Sequence, residues 1–147
     1  MRSEKENQQE IRKYLNYIKA KHLRINQGYS FYSDGHGHKQ YVQYGEEGAS
    51  DLIGIVEICG IGIGIAIETK TEKEYKRIIN QYDKYRVGKF AKKDSRYRFQ
   101  KQIQYIEDYK NKGAIGLFAF HWKQVHEAIE AKRKEILEII NGKNDQI

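Results

Sequence analysis

Three ionisable residues interrupt apolar strand pattern where chemistry could use them. Asp51 heads the run Asp-Leu-Ile-Gly-Ile-Val, while Glu68 and Lys70 close the run Ile-Gly-Ile-Ala-Ile-Glu-Thr-Lys. Side chains on a strand alternate between faces, so Glu68 and Lys70 share one face and Ile67 and Thr69 take the other. If the two runs pair antiparallel about a tight turn at Cys59-Gly60, Asp51 and Glu68 are equidistant from the turn and lie opposite each other. Facing Cβ atoms are then about 4.5–5.5 Å apart. Two facing carboxylates repel, and a hard divalent cation, Mg²⁺ or Mn²⁺, relieves the repulsion through oxygen ligands while keeping waters for a phosphate. Lys70 beside such an ion can stabilise charge developing on a phosphoryl group, or orient and deprotonate an attacking water. The plain alternative is a turn aspartate at a strand edge and an ordinary Glu–Lys ion pair, and spacing alone favours it, since Asp and Glu-x-Lys are common. The register is also sensitive, because Cys-Gly is not a preferred two-residue loop and a one-residue slip reverses the faces.

The elements that must position these residues follow from periodicity. Residues 4–20 carry Ile11, Leu15 and Ile18 on one helical stripe, with Ser3 as N-cap. Residues 28–48 read as two short strands about a Ser-Asp-Gly-His-Gly-His loop. Phe99, Ile103 and Ile106 make a second helical stripe that Gly113 ends, Ala114–Phe120 is a short buried strand, and Val125, Ile129, Ile136 and Ile140 line a last helix stopping at Asn141-Gly142. The expected architecture is α/β, a central mixed sheet flanked by helices in the order αβββαβα, in one domain over residues 1–147.

Between Glu72 and Arg98 the composition changes. Ten basic residues (Lys73, Lys76, Arg77, Lys84, Arg86, Lys89, Lys92, Lys93, Arg96 and Arg98) stand against four acidic ones, so this stretch holds a net +6 of the chain's +7. Basic character is therefore local, and it follows the Glu-x-Lys directly. Tyr75, Tyr82, Tyr85, Phe90 and Tyr97 interleave with the cations, a mixture able to neutralise phosphates and stack on bases. The alternative is a solvated charged helix with half-buried tyrosines.

At these residues the sequence resembles the PD-(D/E)XK nuclease superfamily, and more closely its virus-type replication-repair nuclease (VRR-NUC) branch. Gly48-Ala-Ser-Asp51-Leu-Ile-Gly54 resembles the family's Gly-x-Pro-Asp-hydrophobic-hydrophobic-Gly, and Ile67-Glu68-Thr-Lys70 resembles its Glu-x-Lys strand. Gln102-Ile-Gln-Tyr-Ile106 resembles its glutamine helix, and Glu6 to Leu15 its opening helix with an early glutamate. Ser50 departs from the motif's proline, and the basic stretch at about 72–98 reads as an insertion.

The resemblance implies a restriction-endonuclease-like core. Asp51, Glu68 and the Thr69 carbonyl would be metal ligands, Lys70 the catalytic lysine and Gln102 its supporting glutamine. Glu6 would be a site residue from the first helix, a place that Glu4 or Glu10 could also hold. It further implies a Mg²⁺- or Mn²⁺-dependent DNA endonuclease acting on branched or Holliday-junction DNA in repair or recombination. Such a protein would work as a homodimer without an organic cofactor, and could be encoded by a phage or mobile element. Two alternatives stay open: a catalytically silent DNA-binding module of the same fold, and an RNA-directed nuclease.

Composition bounds the remainder. No stretch approaches the roughly 20 apolar residues of a membrane span, and the polar N-terminus does not read as a secretory signal. One cysteine, Cys59, excludes an internal disulfide framework and cysteine-rich zinc modules, which fits a cytoplasmic protein. His36 and His38 read as loop residues rather than a metal clip, Gly60-Ile-Gly-Ile-Gly-Ile as hairpin backbone, and His121-Trp122 as a capping or packing pair rather than one that borders the substrate.

Overall fold

The computed structural model describes residues 1–25, 28–33, 35–37, 39–44 and 47–144. The elements run α1 (Glu4–Tyr17), β1 (Lys21–Arg24), β2 (Gly28–Ser33), β3 (Lys39–Tyr44), β4 (Leu52–Ile58), β5 (Ile61–Thr69), α2 (Glu72–Asn80), α3 (Tyr82–Val87), α4 (Ser95–Asn111), β6 (Ile115–Ala119) and α5 (Trp122–Asn144). A four-stranded sheet has the order β1-β4-β5-β6, antiparallel except for the parallel β5–β6 pair. β2 and β3 form a separate two-stranded sheet. The α/β class with a central mixed sheet flanked by helices is thus the observed one. Of the two loop histidines, His36 is exposed and His38 lies outside the described residues. Among the described residues, no helix is long and apolar enough to cross a membrane.

The central hairpin has the expected register. Leu52 pairs with Ile67 and Ile58 with Ile61, which carries Asp51 opposite Glu68 one step further on. Cys59 and Gly60 make the turn with φ of 53° and 77°, the left-handed pair that a type I′ hairpin needs. Glycine adopts this freely, whereas a side chain there costs about 1 kcal/mol. Cys59→Asn is therefore expected to stabilise the protein by about 0.5–1 kcal/mol, seen as a higher urea midpoint with an unchanged slope. An unchanged or lower midpoint would contradict the strain at Cys59.

Two clusters cover the two faces of the sheet. Ile11 and Leu15 of α1 pack with Ile65 and Ile67 of β5 and with Val125 and Ile129 of α5. On the other face Phe99, Ile103 and Ile106 of α4 pack with Ile78, Tyr85 and Phe118. Alternation along β5 sends Ile65 and Ile67 to the first cluster and Glu68 and Lys70 toward α4. α4 ends as expected: Gly113 has φ of 88°, its N–H donates to the Lys110 carbonyl at 3.0 Å, and Ala114 N–H donates to Tyr109 at 3.0 Å. That double bond is the Schellman arrangement.

Three sequence expectations differ from the fold. The 72–98 stretch is two short helices, a connection and the first turn of α4, with Tyr75, Tyr82, Tyr85 and Phe90 turned inward. Tyr85 lies 5.7 Å from Phe99 and 6.3 Å from Phe90, centroid to centroid, Tyr75 packs on Phe120 at 5.0 Å, and the Tyr82 hydroxyl donates to Glu107. These rings satisfy amphipathic helices that have to bury one side, so they are occupied in packing rather than presented to bases. Second, α5 runs through Gly142 to Asn144, because Gly142 does not take the positive φ of a helix stop. Third, β1 has no forecast in the sequence: Lys-His-Leu-Arg is a short, mostly exposed edge strand without alternation.

Candidate active site

The carboxyl end of β5, between β4 and β6, gathers the ionisable residues. Glu68 is 2% exposed. Its Oε1 accepts from Gln102 Nε2 at 2.8 Å and lies 3.5 Å from Lys70 Nζ, and its Oε2 accepts from the Asp51 N–H at 3.2 Å. In return, Asp51 Oδ2 accepts from the Thr69 N–H at 2.9 Å. Each strand thus offers a backbone N–H to a carboxylate on the other, which fixes both acids relative to the hairpin. Gly48 tightens the entry to β4, since at φ of 80° a Cβ there would overlap the Lys101 backbone of α4.

Lys70 is held from every side. Its N–H donates to the Ala119 carbonyl of β6 at 2.9 Å, and its own carbonyl accepts from Asn7 Nδ2 at 2.9 Å. Its ammonium lies 5.4 Å from the centroid of the Phe99 ring. Lys70 is 1% exposed and Gln102 equally buried. Gln102 reaches this point because it sits within the buried stripe Phe99–Ile103–Ile106 of α4.

Electrostatics sharpen the picture. Burial, and then the neighbouring Asp51 charge, push the Glu68 carboxyl up to about 8; Lys70 pulls the other way without restoring the ordinary value. Burial also raises Asp51, against the Thr69 N–H, Lys70, Arg98 and Arg24. Glu4 is raised by partial burial, with Lys70 and Arg98 opposing and Asp51 and Glu74 adding. Among the described residues, three buried polar atoms lack a hydrogen-bond partner, Ser50 Oγ and Thr69 Oγ1 at the strand ends and Gln102 Oε1 on α4 beside them. Each such group costs about 1–3 kcal/mol, so destabilising features collect at one place in the fold.

The donor set bears on a metal. Among the described residues, no group of three or more His, Cys, Asp or Glu side chains is arranged to hold an ion. What converges is oxygen only: two carboxylates and the adjoining backbone. That set fits Mg²⁺ or Mn²⁺, which complete their shells with water or substrate oxygen, and does not fit zinc. Burial raises Glu68 most, and the Asp51 repulsion that adds to it is what a bound cation would relieve.

Of the expected site residues, Asp51, Glu68, Thr69, Lys70 and Gln102 come together. Glu6 does not. Its carboxylate accepts from the Ser3 N–H at 2.7 Å while Ser3 Oγ accepts from the Glu6 N–H at 3.2 Å, a capping box that keeps Glu6 at the solvent side of the helix start. Glu4, two residues and about 200° earlier on the helix, is the glutamate whose charge bears on Asp51, Glu68 and Lys70.

The ten basic residues spread over α2 (Lys73, Lys76, Arg77), α3 (Lys84, Arg86), the connection to α4 (Lys89, Lys92, Lys93) and the start of α4 (Arg96, Arg98). Four are engaged locally: Lys76 with Glu72, Arg86 with Asp83, Arg96 with Asp94, and Arg77 with the Tyr85 hydroxyl. The other six are exposed.

Sequence reasoning missed Asn7 and the role of Phe99. The signal for Asn7 was present: it occupies the same buried stripe as Ile11 and Leu15, where an amide has to find a partner. Asn7→Ala is expected to cost about 1–3 kcal/mol, the penalty of leaving the buried Lys70 carbonyl unpaired. Urea unfolding measures it, and a loss below about 0.5 kcal/mol would show that the bond contributes little.

No protein-family model matches the chain, and comparison with curated proteins and with solved structures finds no match.

Proposed function

We propose that this chain is a divalent-metal-dependent nuclease that hydrolyses DNA phosphodiesters at the end of β5. One observation carries the reading: Asp51, Glu68, Lys70 and Gln102 converge, with Glu68 and Lys70 each no more than 2% exposed. Burying Glu68 and the Lys70 ammonium beside a part-buried Asp51 lowers stability, and replacing such groups by apolar ones is often neutral or stabilising. Function is the reason to keep them.

Asp51, Glu68 and the Thr69 carbonyl would hold Mg²⁺ or Mn²⁺, which supplies Lewis acidity toward a phosphodiester and makes a bound water more acidic. The chain's own residues do the rest. Lys70, seated between Glu68 and Phe99, offers a fixed positive charge to the oxygens that gain charge as water attacks phosphorus. Gln102 holds Glu68 in orientation through Oε1, and Asn7 and Ala119 fix the Lys70 backbone. Glu4 stands in the same field as Asp51. The exposed cations of α2, α3, the connection to α4 and the α4 start supply phosphate contacts, which give affinity without reading sequence. Branched DNA as substrate and a symmetric dimer as the working unit belong to the same proposal, on the motif resemblance.

The test is incubation of purified protein with linear, flapped and four-way-junction DNA and with RNA, in Mg²⁺, Mn²⁺ or EDTA, beside Asp51→Ala and Lys70→Ala. Metal-dependent cleavage lost in both variants is expected. No cleavage of any substrate, or equal cleavage by the variants, would refute an enzyme; undiminished DNA binding would then point to the silent binding module, and preferential RNA cleavage to the RNA-directed alternative. The grip is tested separately. Lys92→Glu combined with Lys93→Glu is expected to weaken DNA binding and to lower the slope of log affinity against log salt by about 1.8, two phosphate contacts. An unchanged slope would remove these lysines from the interface.

A further inference from the structure

Lys70 is buried, and the carboxyl groups of Glu4, Asp51 and Glu68 lie within reach of its charge. A DNA strand arriving at the β5 end therefore meets acids, and a phosphate settles there only if an exposed cation receives it. Arg98 occupies the place for that cation. It lies in the first turn of α4, four residues before Gln102, so the two Cβ atoms are about 5–6 Å apart on one side of the helix. Gln102 bonds Glu68 at 2.8 Å, and Phe99, the residue after Arg98, packs on the Lys70 ammonium. Helical side chains lean toward the N-terminus, so Arg98 extends away from the buried Gln102 level, and it is exposed.

Charge agrees with position. Arg98 acts on Glu4, Asp51 and Glu68 alike, acids carried by α1, by the entry to β4 and by β5. Its neighbours Arg77 and Arg96 are bonded to Tyr85 and Asp94. Among the described residues, the Arg98 side chain has no ion pair or hydrogen bond, which leaves its five N–H donors for a ligand.

We propose that Arg98 is a catalytic residue that grips the non-bridging oxygens of one DNA phosphate, the one to be cut, and seats it against Asp51 and Glu68. The inference rests on the nuclease reading and deepens it. Exposed lysines of the basic stretch give affinity anywhere along a strand, whereas Arg98 decides which phosphate faces the acids. Its planar guanidinium offers two parallel N–H groups to two phosphate oxygens, so it orients the phosphorus as well as holding it.

The test is a binding cycle in EDTA on a four-way junction carrying a single uncharged methylphosphonate, walked one linkage at a time along one strand. Arg98→Ala, at an exposed position, should weaken binding of the unmodified junction roughly tenfold and lower the slope of log affinity against log salt by about 0.9. At one linkage the methylphosphonate should weaken the wild type by a similar factor and leave Arg98→Ala unchanged, and in Mg²⁺ the unmodified strand should be cut at that linkage. Lys93→Ala should not couple to it. Asp51→Asn should tighten EDTA binding only while that linkage is charged. Unaltered binding by Arg98→Ala, no linkage coupled to Arg98, or a coupled linkage away from the cut would overturn the proposal. A coupled linkage that also responds to Asp51→Asn, in a protein that cuts nothing, would keep the grip and end the nuclease reading; cutting without a coupled linkage would do the reverse.

Discussion

Glu68→Gln is expected to stabilise the metal-free protein at pH 8 by roughly 1–3 kcal/mol and to change it little at pH 5. The sign follows from the proton. The folded Glu68 carboxyl is held up to about 8 by burial and by Asp51, while in the unfolded chain it titrates near its ordinary value of 4.5. Between those values the folded protein keeps a proton that the unfolded chain has released, so stability is full below about 4.5 and falls as pH rises toward 8. Each pH unit in that window removes at most about 1.4 kcal/mol for one proton. Asp51 and Glu4, also raised, add slopes of the same sign.

Glutamine has nearly the same shape, can still accept from Gln102, and carries no charge to desolvate. The wild type should therefore show a falling urea midpoint from pH 5 to 8, and the variant a flatter one. Mg²⁺ should restore the wild type at pH 8 by mass action and leave the variant unmoved. A flat wild-type profile, or a Glu68→Gln protein less stable at pH 8, would mean that Glu68 is an ordinary ionised partner of Lys70.

Lys70→Met is expected to lower the rate of phosphodiester cleavage about 10²- to 10³-fold, the range for removing one fixed charge-stabilising donor. Methionine fills the space against Phe99 without a charge, so the fold should persist. DNA affinity should stay near wild type, because Lys70 is buried and contributes no exposed phosphate contact. The split between rate and binding is the informative part: comparable losses in both would point to a displaced strand rather than a missing charge.

Much of this centre was legible in the sequence for simple reasons. A hairpin about Cys59-Gly60 and a two-residue period place Asp51 opposite Glu68, and both features depend on residues adjacent in the chain. Gln102 was legible because it interrupts an apolar stripe at helical spacing. Glu6 misled for an equally local reason. Ser3 and Glu6 are spaced as a capping box, and that bond removes Glu6 from the site and leaves Glu4 to face it. The interleaved tyrosines of the basic stretch misled because a sequence does not say which side of a short helix is buried; Phe99, Ile103 and Phe118 decide that from elsewhere in the chain. Asn7 needed the tertiary partner, the Lys70 carbonyl, before its place in an apolar stripe had a meaning. β1 has no pattern of its own and exists because β4 offers it an edge.

The central claim is that the end of β5 hydrolyses phosphodiesters with a divalent ion and Lys70. A single-turnover cleavage assay tests it most directly, with protein in excess over an end-labelled four-way junction, in Mg²⁺, in EDTA, and with Lys70→Met in Mg²⁺. The expected result is discrete strand cuts by the wild type in Mg²⁺, none in EDTA, and at least a hundred-fold slower cutting by Lys70→Met, about the loss set out above. Cutting that survives EDTA, or proceeds at the wild-type rate without Lys70, would contradict it.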